Sequence, residues 1–195
     1  MNVDFGKNIV QVENDRCKVV ADVRELDRPQ WLEKRTAGIG GSDVGAIMGL
    51  SRYKSPMMVY LEKVGLAPDT EDNDAMKHGR RMEPVIRREF PELWKEETGQ
   101  DVEAFESPFI YQSVKHPWML ANIDGIAIHE EGAFGLEIKT ASIFTKKDWD
   151  NEQVPDSYYA QVQHYMDILD MEEFVVPVLI GSTIETRRVP RNGSF

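Results

Sequence analysis

Cysteine is almost absent from this chain: Cys17 is the single one in 195 residues. No internal disulfide, four-cysteine zinc site or cysteine-held iron–sulfur cluster can therefore form within it. Long apolar runs are missing as well. No stretch approaches the roughly 20 continuous apolar residues that a membrane span needs. The N-terminus, with Asp4 and Lys7 around a short apolar patch, lacks the plan of a secretory signal. A cytoplasmic protein with no membrane partner is expected. Basic charge is in deficit too, with 23 Lys and Arg against 34 Asp and Glu and a formal net charge of -11. That excludes coating nucleic acid by bulk attraction but leaves room for a local basic groove. No repeat, low-complexity tract or Gly/Ser-rich linker divides the chain, so one domain, 1–195, is expected, with its core over about 28–190.

What is present reads as helices first and strands later. Arg28 to Lys34 reads as a short helix with Trp31 inward, and Ser42 as the cap of a turn from Asp43 to Met48. Ser55 and Pro56 open a helix in which Met57, Met58, Tyr60, Leu61 and Val64 recur at core spacing, and Gly65 stops it. Asp74 to Thr98 is helical up to Gly99, with Pro84 and Pro91 expected to split it into two pieces. The period then shortens: 102–111, 118–128 and 134–141 read as strands, the last two joined by a turn at Glu130 to Gly132. Tyr158 to Leu169 is a helix, and Glu173 to Ile180 with Thr183 to Val189 forms a hairpin about Gly181 and Ser182. The first residues, the acidic turn Pro68 to Asp74 and the tail from Arg191 to Phe195 read as flexible. The order implies an α/β domain, a central mixed β-sheet flanked by helices.

Three residues in this frame carry chemistry. Asp124 ends a strand beside Gly125, and Glu137 and Lys139, two apart in the next, project from one face. If the strands pair, Asp124 approaches Glu137, and two converged carboxylates repel unless a cation lies between them. Hard oxygen ligands suit Mg²⁺ or Mn²⁺. The Ile138 carbonyl is a further ligand candidate, and the Lys139 ammonium is placed to orient a water or to stabilise a pentavalent phosphorus. By spacing alone the same residues read first as a cross-strand surface ion pair, worth well under about 1 kcal/mol, with Asp124 a turn former. Arg80, Arg81, Arg87 and Arg88, the pair Lys146 and Lys147, and the acids Asp69, Glu71, Asp72 and Asp74 each read first as solvated faces. Trp94 and Trp118 read as buried, and the four histidines show no zinc-ligand spacing.

Four blocks in order add a resemblance: Arg35-Thr-Ala-Gly-Ile-Gly-Gly-Ser42-Asp-Val; His78-Gly-Arg-Arg-Met-Glu83-Pro; Asn122-Ile-Asp124-Gly with Gly135-Leu-Glu137-Ile-Lys139; and Tyr158-Tyr-Ala-Gln161-Val-Gln163-His-Tyr. From about Trp31 to Val189 the chain resembles the phage-type recombination exonucleases, the lambda exonuclease or YqaJ-like family of PD-(D/E)xK nucleases, whose core is restriction-endonuclease-like. The resemblance implies that Asp124, Glu137 and Lys139 form the catalytic and metal-binding triad, that Glu83 is a helical acid helping to hold metal, and that Gln161 lies beside the centre. It implies that Arg35 and Ser42 hold the 5′-phosphate of a DNA end and that Tyr158, which starts the helix presenting Gln161, contacts DNA. Family members digest one strand of linear duplex DNA from a 5′-phosphorylated end and leave 3′ overhangs for recombination. They use Mg²⁺, assemble as ring trimers, and work with a single-strand annealing protein in a bacterial host cell. Two alternatives stay open: a structure-specific endonuclease using the same centre, and an inactive DNA-end-binding protein. The second is kept open because the chain ends at Phe195 where related enzymes continue into further helices.

Overall fold

Short apolar segments at the N-terminus pair before any helix forms. In the computed structural model, which describes residues 1–67 and 73–195, β1 (Asn2–Asp4) folds back antiparallel on β2 (Ile9–Gln11), and β3 (Cys17–Asp22) follows. The first residues, expected to lie outside the core, instead bury Ile9, Val10, Val12 and Cys17 within it. The expected acidic turn, Pro68 to Asp74, falls mostly outside the described residues.

α1 (Arg28–Thr36) begins at Asp27, whose carboxylate accepts the Gln30 N–H while Gln30 Oε1 accepts the Asp27 N–H. It buries no residue fully, and Trp31 is half-buried under the Arg35 guanidinium, 4.6 Å from its ring centre. β4 (Ile39–Gly40) leads directly into α2 (Gly41–Ile47). Ser42, expected at the cap, lies inside the first turn: Gly40 holds the cap position, and Asp43 reaches back to its N–H at 3.0 Å. α3 (Pro56–Lys63) starts at Ser55 as its sequence signals, and Gly65 takes φ 70° just beyond its end. The apolar face expected from its sequence is not the buried one. Val59 is the buried residue, whereas Met57 and Tyr60 are 64% and 60% exposed, because no element covers that side of the helix among the described residues.

α4 (Asp74–Thr98) runs unbroken through Pro84 and Pro91 and ends at Gly99 with φ 75°. Each interior proline costs about 3 kcal/mol. Against this, Ile86, Phe90 and Trp94, four residues apart, are fully buried, each worth about 1.5–3 kcal/mol. The prolines, seven residues apart, share a side of the helix on which Pro84 is exposed and Pro91 half-buried.

The strands predicted over 102–111 and 118–128 each divide between two sheets. β5 (Glu103–Glu106) and β6 (Phe109–Ser113) come from the first, and β7 (Met119–Ala121) and β8 (Gly125–His129) from the second. β9 (Gly132–Leu136) and β10 (Lys139–Ala141) follow, then α5 (Asp156–Leu169), β11 (Glu173–Val175), β12 (Val178–Ile180), β13 (Thr183–Glu185) and β14 (Arg188–Pro190). The largest sheet has the order β1-β2-β5-β8-β9-β11-β14, a second β3-β6-β7-β4, and a third β10-β12-β13. Parallel and antiparallel pairs mix in all three. α4 packs Phe90 and Trp94 against Ala127, Phe134, Leu136 and Val175. α5, buried almost all round, lies in the larger core with Ile126, Phe174 and Val178. No described helix is long and apolar enough to cross a membrane.

Two small residues let α2 lie directly on α5. A Cβ at Gly41 would fall 2.4 Å from the Tyr165 ring and 2.8 Å from Gln161 Cγ, and one at Gly45 would fall 2.9 Å from Ser157 Cβ. Gly79, inside α4, has room, its nearest neighbour being Thr140 Oγ1 at 3.4 Å. The same substitution therefore has opposite signs at the two places. Gly41→Ala should destabilise by about 1–3 kcal/mol through overpacking, and Gly79→Ala should stabilise by about 0.5–1 kcal/mol through helix propensity. Urea unfolding of both variants checks this, and a neutral Gly41→Ala would contradict the close packing.

Candidate functional site

β9 on β11 and β10 on β12 keep one parallel register across the break at Glu137 and Ile138: the Glu137 N–H donates to the Val175 carbonyl at 3.2 Å and the Lys139 N–H to the Pro177 carbonyl at 2.9 Å. In that gap the Ile138 N–H donates to Asp124 Oδ2 at 2.7 Å, fixing the first carboxylate against the strand that carries the second. Glu137 is only 3% exposed. Its Oε1 accepts from Lys139 Nζ at 2.5 Å and from Gln161 Nε2 at 2.6 Å, whereas its Oε2 is buried with no hydrogen-bond partner. The surface-pair reading of Glu137 and Lys139 is thereby excluded.

α5 supplies the lid over this pair. Gln161 also donates to the Tyr165 hydroxyl at 3.1 Å, and Lys139 Nζ lies 4.6 Å from the centre of the Tyr158 ring, which packs beside Trp149. Tyr158 thus faces the site lysine. On the other flank α4 presents Glu83, half-buried, whose Oε1 accepts from Arg87 at 3.2 Å. Arg87 also donates to the Asp124 carbonyl at 2.5 Å and pairs with Glu106 at 3.7 Å. This buried arginine was read as part of a solvated basic stretch. Its position four residues after Glu83 was the available signal.

Burial and mutual repulsion govern the charges. Burial, then the Asp124 charge, pushes Glu137 up to about 8 and Glu83 up to about 7. Burial also raises Asp124, against the pull of Lys139. Lys139 is pushed down by burial but raised overall by Glu137 and Asp124, so it remains an ammonium. Among the described residues no three His, Cys, Asp or Glu side chains are already gathered as a ligand shell. The donor set nonetheless fits a divalent cation: three carboxylates repel one another here, and the unpartnered Glu137 Oε2 supplies a free oxygen.

Arg35 and Ser42 meet in the same place. Arg35 Nη2 donates to Ser42 Oγ at 3.0 Å, and both line a cleft of about 180 Å³ with Gly41, Asn122, Asp124, Glu137, Gln161 and Tyr165. Asn122, unremarked in the sequence beyond its block, is anchored by Nδ2 donating to the Phe109 carbonyl at 3.2 Å. Glu83, Lys139 and Tyr158 stand behind or beside the cleft rather than lining it. Of the tryptophans, Trp94 is buried as expected, but Trp118 is 56% exposed. His164 is structural: buried, bonded to the Leu120 carbonyl at 3.0 Å, and lowered by burial.

For Glu137 the folded value lies above the ordinary unfolded one, so its protonated form stabilises the fold at low pH, and that contribution is lost as pH rises through about 8. Metal-free protein should lose stability between about pH 5 and about pH 9, and Glu137→Gln, neutral throughout, should lose less by a few degrees in Tm. Thermal melts in EDTA at both ends of that range check it. Parallel pH slopes for the two proteins would contradict the burial of this charge.

Comparison with known proteins points one way. The family model described as the YqaJ-like viral recombinase domain matches residues 30–172. The protein YqaJ of Bacillus subtilis is 35% identical over 169 residues, covering 85% of this chain and 50% of that protein. R354 of Acanthamoeba polyphaga mimivirus is 24% identical over 173 residues, covering 82% of this chain and 30% of that protein. The chain thus spans half or less of these curated relatives. The crystal structure of the alkaline exonuclease LHK-Exo from Laribacter hongkongensis matches with TM-score 0.64 at 19% identity, covering 85% of this chain and 84% of that one. At that identity the likeness concerns the fold, a central mixed sheet with flanking helices.

Proposed function

Because this chain belongs to the YqaJ-like viral recombinase family, we propose that it is a metal-dependent deoxyribonuclease digesting one strand of linear duplex DNA from a 5′-phosphorylated end to leave 3′ overhangs. The observation that carries this reading is the single cleft shared by the Arg35–Ser42 pair and by Asp124, Glu137 and Gln161. A guanidinium and a hydroxyl presented together suit a terminal phosphate, and here they stand beside carboxylates rather than alone. That neighbourhood favours an end-directed exonuclease over an endonuclease, for which a terminal-phosphate grip has no use.

In this reading Asp124, Glu137 and the Ile138 carbonyl hold Mg²⁺, or Mn²⁺ in its place, with Glu83 assisting. The bound ion supplies a water of lowered pKa and offsets charge growing on the phosphate. Asp124 is pre-aimed by the Ile138 N–H, so little reorganisation is needed when it binds. Glu137 must surrender its proton first, which favours activity on the alkaline side of neutrality. Lys139, an ammonium at any working pH, positions the attacking water or stabilises negative charge at phosphorus. Gln161 holds Glu137 from the side opposite the strand, and Tyr158 keeps Lys139 over its ring face. An annealing protein and a ring-shaped trimer are proposed as partner and assembly.

Digestion of linear duplexes carrying 5′-phosphate or 5′-hydroxyl ends, with Mg²⁺ and then with EDTA, tests the reading. Phosphorylated ends should be degraded roughly tenfold or more faster, consistent with a charge-assisted contact, closed circles should survive, and EDTA should stop the reaction. Glu137→Ala and Lys139→Ala should each lower the rate by about 10²-fold or more. Equal rates on the two ends would remove the role of Arg35 and Ser42, and cleavage of closed circles would favour the endonuclease.

A further inference from the structure

Asp43 is a buried carboxylate, 1% exposed, that takes no part in the chemistry above. Three donors converge on it. Lys63 Nζ lies 2.7 Å from Oδ2, Lys54 Nζ 3.0 Å from Oδ1, and the Gly40 N–H donates to Oδ2 at 3.0 Å. Lys54 is itself paired with Glu62. Burial pushes the Asp43 carboxyl up, but the Lys63 hydrogen bond and charge more than offset it, so it stays ionised. A buried, ionised carboxylate carries a desolvation cost that its partners must return, so the groups paired with it are held in place.

The geometry specified here is that of the phosphate-facing pair. Lys63 Nζ donates a second hydrogen bond, to the backbone carbonyl of Arg35 at 2.8 Å. One ammonium at the end of α3 therefore ties the last turn of α1, where Arg35 sits, to the Asp43 carboxylate in the first turn of α2, one residue after Ser42. The Gly40 N–H, held by the same carboxylate, fixes the entry to that turn. Arg35 and Ser42 are thus set at the 3.0 Å separation of their own hydrogen bond from behind, by the Asp43 and Lys63 side chains, neither of which lines the cleft. Lys54 donates to Asp43, whereas Lys63 bonds both Asp43 and the Arg35 carbonyl, which separates support of the carboxylate from support of the grip.

We infer that the Asp43–Lys63 pair is the positioning element that sets selectivity for a 5′-phosphorylated end, acting through the Arg35 backbone and the α2 first turn. This rests on the end-recognition reading of the cleft. The measurement is the ratio of kcat/KM on 5′-phosphate ends to that on 5′-hydroxyl ends, with folding of each variant verified by near-ultraviolet circular dichroism.

Lys63→Met should lower the ratio by about tenfold, the effect of a misplaced charge-assisted contact, with the loss in KM on phosphorylated ends. Lys63→Gln, a milder change that keeps an amide donor, should lower it by a smaller factor and serves if the methionine variant does not fold. Lys54→Met should keep the parent's ratio whatever it loses in thermal stability. Combining Lys63→Met with Arg35→Ala should give no loss of ratio beyond Arg35→Ala alone. A folded Lys63 variant with the parent's ratio would overturn the proposal, as would equal losses in the Lys63 and Lys54 variants, which would mark a merely structural role. A parent that does not distinguish the two ends would instead overturn end recognition itself.

Discussion

The hydrogen bond from the Ile138 N–H to Asp124 Oδ2 stands at the point where a backbone donor would otherwise serve a neighbouring strand. By spending that donor on a side chain, the chain interrupts its strand between β9 and β10 and gains a carboxylate fixed against the Glu137 strand. Everything around it answers the charge this concentrates. Lys139 and Arg87 bring positive charge, Gln161 brings a neutral donor, and α5 closes over the top with Tyr158 and Tyr165. A surface version of the same pair would be worth little. Here burial makes it expensive, a cost that the surrounding donors must return.

Much of this was legible in the residues, and the limits have physical reasons. The shared face of Glu137 and Lys139 follows from strand alternation, and the hairpin at Gly181 and Ser182 appears where the sequence puts it. Burial of that face was not legible, because it depends on α5, whose own buried Gln161, Gln163 and His164 break the apolar pattern that would announce such a lid. Those polar groups are tolerated because each is bonded: Gln163, for instance, donates to the Pro190 carbonyl and accepts from the Asn192 N–H.

Other misreadings share a cause. β1, β2 and β4 are two or three residues long, too short for a period to register. Arg87 was hidden among exposed neighbours, since a charge count cannot tell which arginine of a run turns inward. In α3 the residues Met57, Tyr60, Leu61 and Val64 do share one side of the helix, but the side packed inward is the opposite one, where Val59 is buried. Ser42 looked like a cap because its type and place fit one. Its neighbour Asp43 performs that work instead, which leaves the serine hydroxyl free to accept from Arg35.

The unbroken course of α4 has a mechanical meaning. Glu83 and Trp94 lie on one continuous helix, eleven residues and roughly 16 Å apart, with the acid beside the carboxylate cluster and the tryptophan packed against Phe90 and Phe134. A hinge at either proline would have let the two ends move independently. Without one, the packing of the aromatic cluster and the placing of the Glu83 carboxylate share one continuous helix backbone.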